Sequence, residues 1–216
     1  MSDLIFHHYP QSPVAEKVRV GMGLKKLSWH SVEIPRIPPK PDLMPLTGGY
    51  RRTPVMQFGA DIFCDSQSIL RELERRYPEP TFFSERSGGL EWGISRWTDT
   101  DLFIAMIKLI LSVSADSIPA EFVKDRTRLY LGENADLREV AKNIPHLVSQ
   151  IRAQLGWIEQ RLAEELDFIS GDKPGLPDAQ FYYLIWFLRG RWDGGPGLLS
   201  EFPALEAWEA RIQEIG

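Results

Sequence analysis

The chain has 216 residues, of which 43% are hydrophobic and 25% charged, and a formal net charge of −5. That balance excludes a disordered tail, a collagen-like fibre and a disulfide scaffold. The length suits one to two domains at about 150 residues each, and the negative net charge argues against nucleic-acid binding, which usually needs a basic face.

Charge is uneven along the chain. Residues 1–80 hold 11 Lys and Arg against 9 Asp and Glu, and the rest hold 14 against 21. An anionic small ligand finds the first part more hospitable. Cys64 is the single cysteine, which forbids an internal disulfide and fits a reducing compartment. The start, Met1–His8, has no basic region followed by an apolar core, so no secretory signal is expected. The run Phe181–Leu188, and the stretch Leu102–Val113 broken by Lys108, fall short of the roughly 20 apolar residues that span a membrane. The expectation is a soluble cytoplasmic protein.

In chain order, Leu4–His8 reads as a strand ending at Tyr9-Pro10. Ser12-Pro13 opens a helix, with Ser as N-cap and Pro at the first helical position. Val14, Val18 and Met22 share one face, while Gly21 and Gly23 are expected to weaken its end. Trp29–Ile34 is a second strand. Residues 35–49, with five prolines and Gly48-Gly49, read as a loop long enough to be functional. Pro54–Phe58 and Ile62–Cys64 make a hairpin. Asp65-Ser66 caps a helix with an Ile69, Leu70, Leu73, Tyr77 stripe, stopped by Pro78 and Pro80. This order implies a small mixed sheet covered by helices. Residues 81–90 read as a linker, and beyond it only helices follow, near 90–115, 119–131, 143–167, 178–190 and 203–214. The reading is an α/β domain over 1–80 and an all-α domain over 91–216.

Three segments could carry chemistry. At Tyr9–Ser12 a strand turns into a helix, whose N-terminus stabilises an anion. Ser12 could donate to a ligand thiolate there and lower its pKa from about 8.5; the plain alternatives are an ordinary N-cap and a packed Tyr9. At Arg51–Pro54, a cis bond before Pro54 would turn the Thr53 backbone toward a peptide-like ligand, and Arg52 could meet a carboxylate; otherwise the arginines are a solvated pair. At Asp65-Ser66, Asp65 could accept from a ligand ammonium and Ser66 hold the adjacent carboxylate, unless the pair is a plain cap. His7 and His8 point to opposite faces of a strand and cannot share a metal. Cys64 lacks an activating partner and reads as a small buried hydrophobe. No CxxC, HExxH or phosphate loop is present, so no metal is expected. Phe181, Tyr182, Tyr183, Trp186 and Phe187 read as helix core with one edge free to line a pocket, and Arg189 and Arg191 suit that helix's C-terminal dipole.

Together these elements resemble the cytosolic glutathione transferases, of the bacterial type with serine in the catalytic loop. The matching segments are Tyr9-Pro-Gln-Ser-Pro13, Arg52-Thr53-Pro54-Val55 and Asp65-Ser66-Gln-Ser-Ile69, followed by a helical domain of suitable length. Phe168–Asp172 with Leu176-Pro-Asp178 is similar to the family's capping motif, with Gly175 standing where Ser or Thr is usual. The family commonly has an aliphatic residue where Thr53 stands, and Asn-Pro where Thr47-Gly48-Gly49 stands. The resemblance implies a thioredoxin-like N-terminal domain, a cis bond at Pro54, and glutathione as co-substrate with no metal. It implies Thr53 on the cysteinyl part of glutathione, Asp65 and Ser66 on the γ-glutamyl end, and Arg52, or Lys40, on the glycyl carboxylate. Ser12 would stabilise the thiolate, with Tyr9 or another residue such as Arg189 as the alternative. It implies a detoxifying homodimer that joins the thiolate to a hydrophobic electrophile. The electrophile would lie between the domains, near Tyr9 and the first and fourth helices of the second domain. A glutathione-dependent lyase, isomerase or peroxidase, or a non-catalytic binding protein on the same fold, are the rival readings.

Overall fold

Strand β1 (Leu4–His8) lies inside a four-stranded sheet of order β2-β1-β3-β4. It runs parallel to β2 (His30–Glu33) and antiparallel to β3 (Val55–Phe58), and β3 pairs antiparallel with β4 (Asp61–Cys64). The structure is a computed structural model and describes residues 4–84 and 89–215. Met1–Asp3 of the N-terminal segment, 85–88 of the expected linker, and Gly216 lie outside the described residues. Gly59 takes φ +59 and allows the two-residue turn between β3 and β4.

Helices α1 (Pro13–Leu24) and α2 (Ser66–Arg76) cover the sheet. Phe6, Val18, Met22, Met56, Ile69, Leu70 and Leu73 are all fully buried in this layer. Contrary to expectation, α1 does not fade at its glycines. A Cβ at Gly21 would lie 2.5 Å from Leu70 Cδ2, so glycine there permits α1 and α2 to touch. The 35–49 segment is not structureless either: successive turns close it, with Met44 N–H donating to Lys40 O at 3.0 Å and Gly49 N–H to Met44 O at 2.9 Å.

The second half is helical. Helices α3 (Leu90–Trp97) and α4 (Phe103–Ser114) form the expected first run, joined by a π-type turn at Thr98–Leu102. Then come α5 (Ala120–Leu131), α6 (Leu137–Ala141), α7 (Ile144–Leu162), α8 (Leu176–Arg191), α9 (Gly195–Leu199) and α10 (Pro203–Gln213). The short α6 and α9 escape sequence reading because five residues are too few to show a helical period. Helix α7 stops before 167: the chain reverses through Glu165 at φ +61 and enters a bridge between Phe168 and Gly171. No helix among the described residues is long and apolar enough to cross a membrane.

That reversal carries the chain under the start of α8. Asp178, fully buried, accepts from Ile169 N–H (2.8 Å), Gly175 N–H (2.9 Å), Ser170 Oγ (2.8 Å) and Trp208 Nε1 (2.7 Å). Burial pushes its carboxyl up, against the pull of these donors. A Cβ at Gly175 would fall 2.6 Å from Ser170 Oγ and 2.7 Å from Phe82 O. Ser170 Oγ thus occupies the space a side chain at position 175 would fill, and donates to the Asp178 carboxylate.

Residues 81–84 pack rather than dangle. Phe82 is buried, its N–H donates to Glu74 Oε2 at 3.0 Å, and its carbonyl accepts from Leu176 N–H. Lys25, also buried, lies over the Phe82 ring and donates to Tyr77 O and Pro80 O. The result is an α/β thioredoxin-like N-terminal domain joined to an all-α domain, with α1 lying against α8.

Candidate active site

β1 ends where the chain turns through Tyr9–Gln11 into Ser12. Ser12 is the N-cap of α1: its Oγ accepts from Ala15 N–H at 3.2 Å, and Pro13 takes the first helical position. The residue is 2% exposed. A hydroxyl that accepts from the helix keeps its own proton to donate, and it does so beside the positive end of the α1 dipole.

The loop before Ser12 is held from behind. Arg19 donates to Pro10 O at 3.0 Å and to His8 Nδ1 at 2.9 Å, and His8 Nε2 meets Ser31 Oγ at 2.8 Å. Arg19 can only donate, so His8 Nδ1 is the acceptor and the ring is neutral. Burial, then the Arg19 charge, lowers the His8 pKa to about 4. The unfolded chain binds this proton near pH 6.5, so between pH 6.5 and about 4 unfolding takes up a proton and stability drops as the pH is lowered. Melting temperature should decline across that window, by the equivalent of about 1–2 kcal/mol with partial solvent screening. In His8→Gln this acid limb should flatten; an unchanged limb would refute the assignment.

Between the domains lies a cleft with a cavity of about 110 Å³. Its N-terminal wall carries Tyr9, Ser12, Lys40, Arg52 and Thr53; its helical wall carries Phe103, Ile107, Phe122, Tyr130 and Phe187. The first wall is mainly polar, and the second sets aromatic and aliphatic side chains beside Arg126 and Arg191. The Tyr9 hydroxyl accepts from Arg126 Nη2 at 3.2 Å. Arg126 also donates to Arg36 O and reaches Asp125 Oδ2 at 2.6 Å, while Arg51 meets Asp125 Oδ1 at 2.8 Å. Lys40 is 2% exposed and donates to Thr53 Oγ1 at 3.1 Å. Burial, then the Arg126 and Arg51 charges, lowers its pKa to about 8. The Thr53–Pro54 bond is cis.

Five of the seven residues singled out from the sequence thus line one cleft. Asp65 and Ser66 do not line it; they stand just beyond Thr53-Pro54, because β4 pairs with β3 through Val55 and Cys64. Asp65 caps α2, accepting from Gln67 N–H at 2.9 Å, and sits at φ +73. That conformation costs a non-glycine residue of order 1–3 kcal/mol and is typical of functional positions. Ser66 opens the helix and is buried. Arg189 takes no part: it is spent on Glu206 and Glu209. Burial and Asp65 push the Cys64 thiol up, against nucleophilic use. Sequence reasoning missed Arg36, Arg126 and the whole contribution of α5. Phe122, Arg126 and Tyr130 recur at helical spacing, but nothing in that period says the stripe faces a cleft.

A thioredoxin-like domain sharing a polar and apolar cleft with a helical domain is the build of a glutathione transferase. The family model described as "Glutathione S-transferase, N-terminal domain" matches residues 6–81, and "Glutathione S-transferase, C-terminal domain" matches 133–211. A GST-like protein from Pseudomonas syringae is 32% identical, with 100% of this chain and 68% of that one covered and a TM-score of 0.73. The glutathione transferase GSTFuA3 from Phanerochaete chrysosporium is 17% identical at TM-score 0.76, covering 100% of this chain and 98% of that one. A maleylacetoacetate isomerase from Anaeromyxobacter dehalogenans is 21% identical at TM-score 0.63, covering 98% and 86%. No curated protein sequence matches the chain significantly. The chain belongs to the glutathione S-transferase family.

Proposed function

We propose that the protein is a glutathione transferase that holds glutathione as its thiolate against an electrophile in the interdomain cleft. The observation that carries this reading is Ser12: a buried hydroxyl with its proton unspent, at the head of α1, facing the cleft. Donation from Ser12 and the helix dipole favour the thiolate, and the apolar helical wall positions its target. Lys40 and Arg52 take the glycyl carboxylate, the Thr53 backbone takes the cysteinyl unit, and Asp65 with Ser66 takes the γ-glutamyl end. Tyr9, held by Arg126, is the second donor at the sulfur. The same reading makes the protein a detoxifying homodimer of the cytoplasm.

Ser12→Ala should lower kcat/KM for conjugation of 1-chloro-2,4-dinitrobenzene about 100-fold, the usual effect of removing one donor from a developing anion. The pH-rate profile should shift upward as the bound thiol regains a pKa near 8.5–9. Ser12→Thr keeps both hydroxyl and helix cap and should retain most activity. Undiminished conjugation in Ser12→Ala, with loss in Tyr9→Phe, would move the role to Tyr9. A protein whose melting temperature does not rise with millimolar glutathione would not be a glutathione enzyme at all.

A further inference from the structure

The cleft is more cationic than glutathione requires. Arg36, Lys40, Arg51, Arg52, Arg126 and Arg191 line it, and among the described residues no carboxylate does. Asp125, behind the wall, answers Arg51 and Arg126. On the reading above, the glycyl carboxylate answers Lys40 and Arg52. Arg36 and Arg191 are left, and among the described residues neither meets a carboxylate.

These two arginines come from opposite walls. Arg36 follows β2 in the N-terminal domain, and Arg191 is the last residue of α8. Arg36 does not trail into solvent: its guanidinium lies 4.3 Å from the Phe122 ring centre and 5.9 Å from that of Tyr9. Stacking on aromatic faces fixes a guanidinium while leaving its N–H edge free. Partial burial of its head group first, and the Arg36 charge second, lower the Arg191 pKa, although the residue as a whole stays exposed at the cleft mouth. Two like charges held in each other's field at the mouth of an aromatic cleft repel until an anion joins them. An uncharged apolar electrophile leaves that repulsion in place.

We propose that the second substrate is an electrophile bearing a carboxylate, received between Arg36 and Arg191 while its apolar body lies on Phe103, Phe122 and Phe187. The planar guanidinium fork suits a carboxylate, which it binds through paired N–H donors. This inference rests on the glutathione reading and adds the class of the second substrate to it.

The test uses the full-length protein and calorimetric titration, so turnover is not needed. Three ligands are compared: glutathione, S-(4-carboxybenzyl)glutathione and the methyl ester of the latter. The ester has the same body and lacks the charge. The acid should bind about tenfold tighter than the ester or better, as a charge-assisted contact implies. Arg36→Met and Arg191→Met should each bring the acid-to-ester ratio close to one. Both side chains are exposed at the cleft mouth, so the variants should fold. An ester that binds as tightly as the acid, or a ratio that survives both substitutions, overturns the proposal. Failure of glutathione itself to bind would overturn the glutathione reading and, with it, this one.

Discussion

Asp178→Ala should cost about 4 kcal/mol or more and lower the melting temperature by roughly 10 °C or more. The carboxylate sits among four donors from three places: the bridge loop at Ile169 and Ser170, the head of α8 at Gly175, and the Trp208 indole on α10. Alanine leaves the Ile169, Gly175 and Trp208 donors buried without an acceptor, and each orphaned group carries its own desolvation penalty of about 1–3 kcal/mol. The Ile169 and Gly175 N–H groups are buried and fixed by the backbone, so they cannot turn to water. Trp208→Phe removes one donor together with its bond and should cost far less. Asp178→Asn should fall near the alanine value, because an amide presents N–H groups to N–H groups on one side. Urea unfolding of the three variants checks this. An alanine variant within about 1 kcal/mol of the parent would mean the network is satisfied by water and does not hold α8 to its loop.

How far the molecule could be read from its sequence differs between its halves. The sheet, α1 and α2 were legible because each has both a period and a start signal: Ser12-Pro13 before the Val18 and Met22 stripe, Asp65 before Ile69, Leu70 and Leu73. The positions of Ser12, Asp65 and Ser66 at helix starts were legible for the same reason, whereas Lys40, Arg52 and Thr53 lie in loop and had no such signal. Where local rules failed, tertiary contact decided. Gly21 looks like a helix breaker and is instead the point where α1 meets Leu70; Gly175 looks like a missing cap and is instead room for Ser170 and Phe82 O. The helical wall of the cleft was the least legible part. Arg126 reaches Tyr9 across 117 positions of sequence, and Arg36 belongs to a loop with no period at all. The charge count agrees with the N-terminal wall, which supplies Arg36, Lys40, Arg51 and Arg52, but a negative second half gives no hint that Arg126 and Arg191 join them.

Packing of the two domains also brings Lys17 and Asp99 together. Lys17, on α1, is fully buried and reaches both carboxylate oxygens of Asp99, at 2.8 and 2.7 Å. Asp99, in the π-type turn, also accepts from Ser95 Oγ at 3.0 Å and from the Tyr183 hydroxyl at 2.9 Å. Gln67 on α2 joins through Ser95 at 2.8 Å. Burial and the Asp99 carboxylate push the Tyr183 phenol well above its usual range, so it stays a donor. Removing one member of a buried pair typically costs about 3–5 kcal/mol, because the partner is left charged and dry. The two halves are not equal. The Asp99 side chain is 24% exposed and that of Lys17 is 0%, so stranding the lysine is the worse error. Asp99→Asn should therefore destabilise toward the top of that range and Lys17→Met toward the bottom. The double variant should cost clearly less than the two singles together, since no charge is then left alone. Strict additivity in chemical denaturation would show that the two groups do not act as a pair. The network ties α1, with Ser12 at its head, to α8, which carries Tyr183 and ends at Arg191. If the proposed function holds, single variants that still fold should lose glutathione conjugation along with stability, because Ser12 and the helical wall then no longer hold their separation.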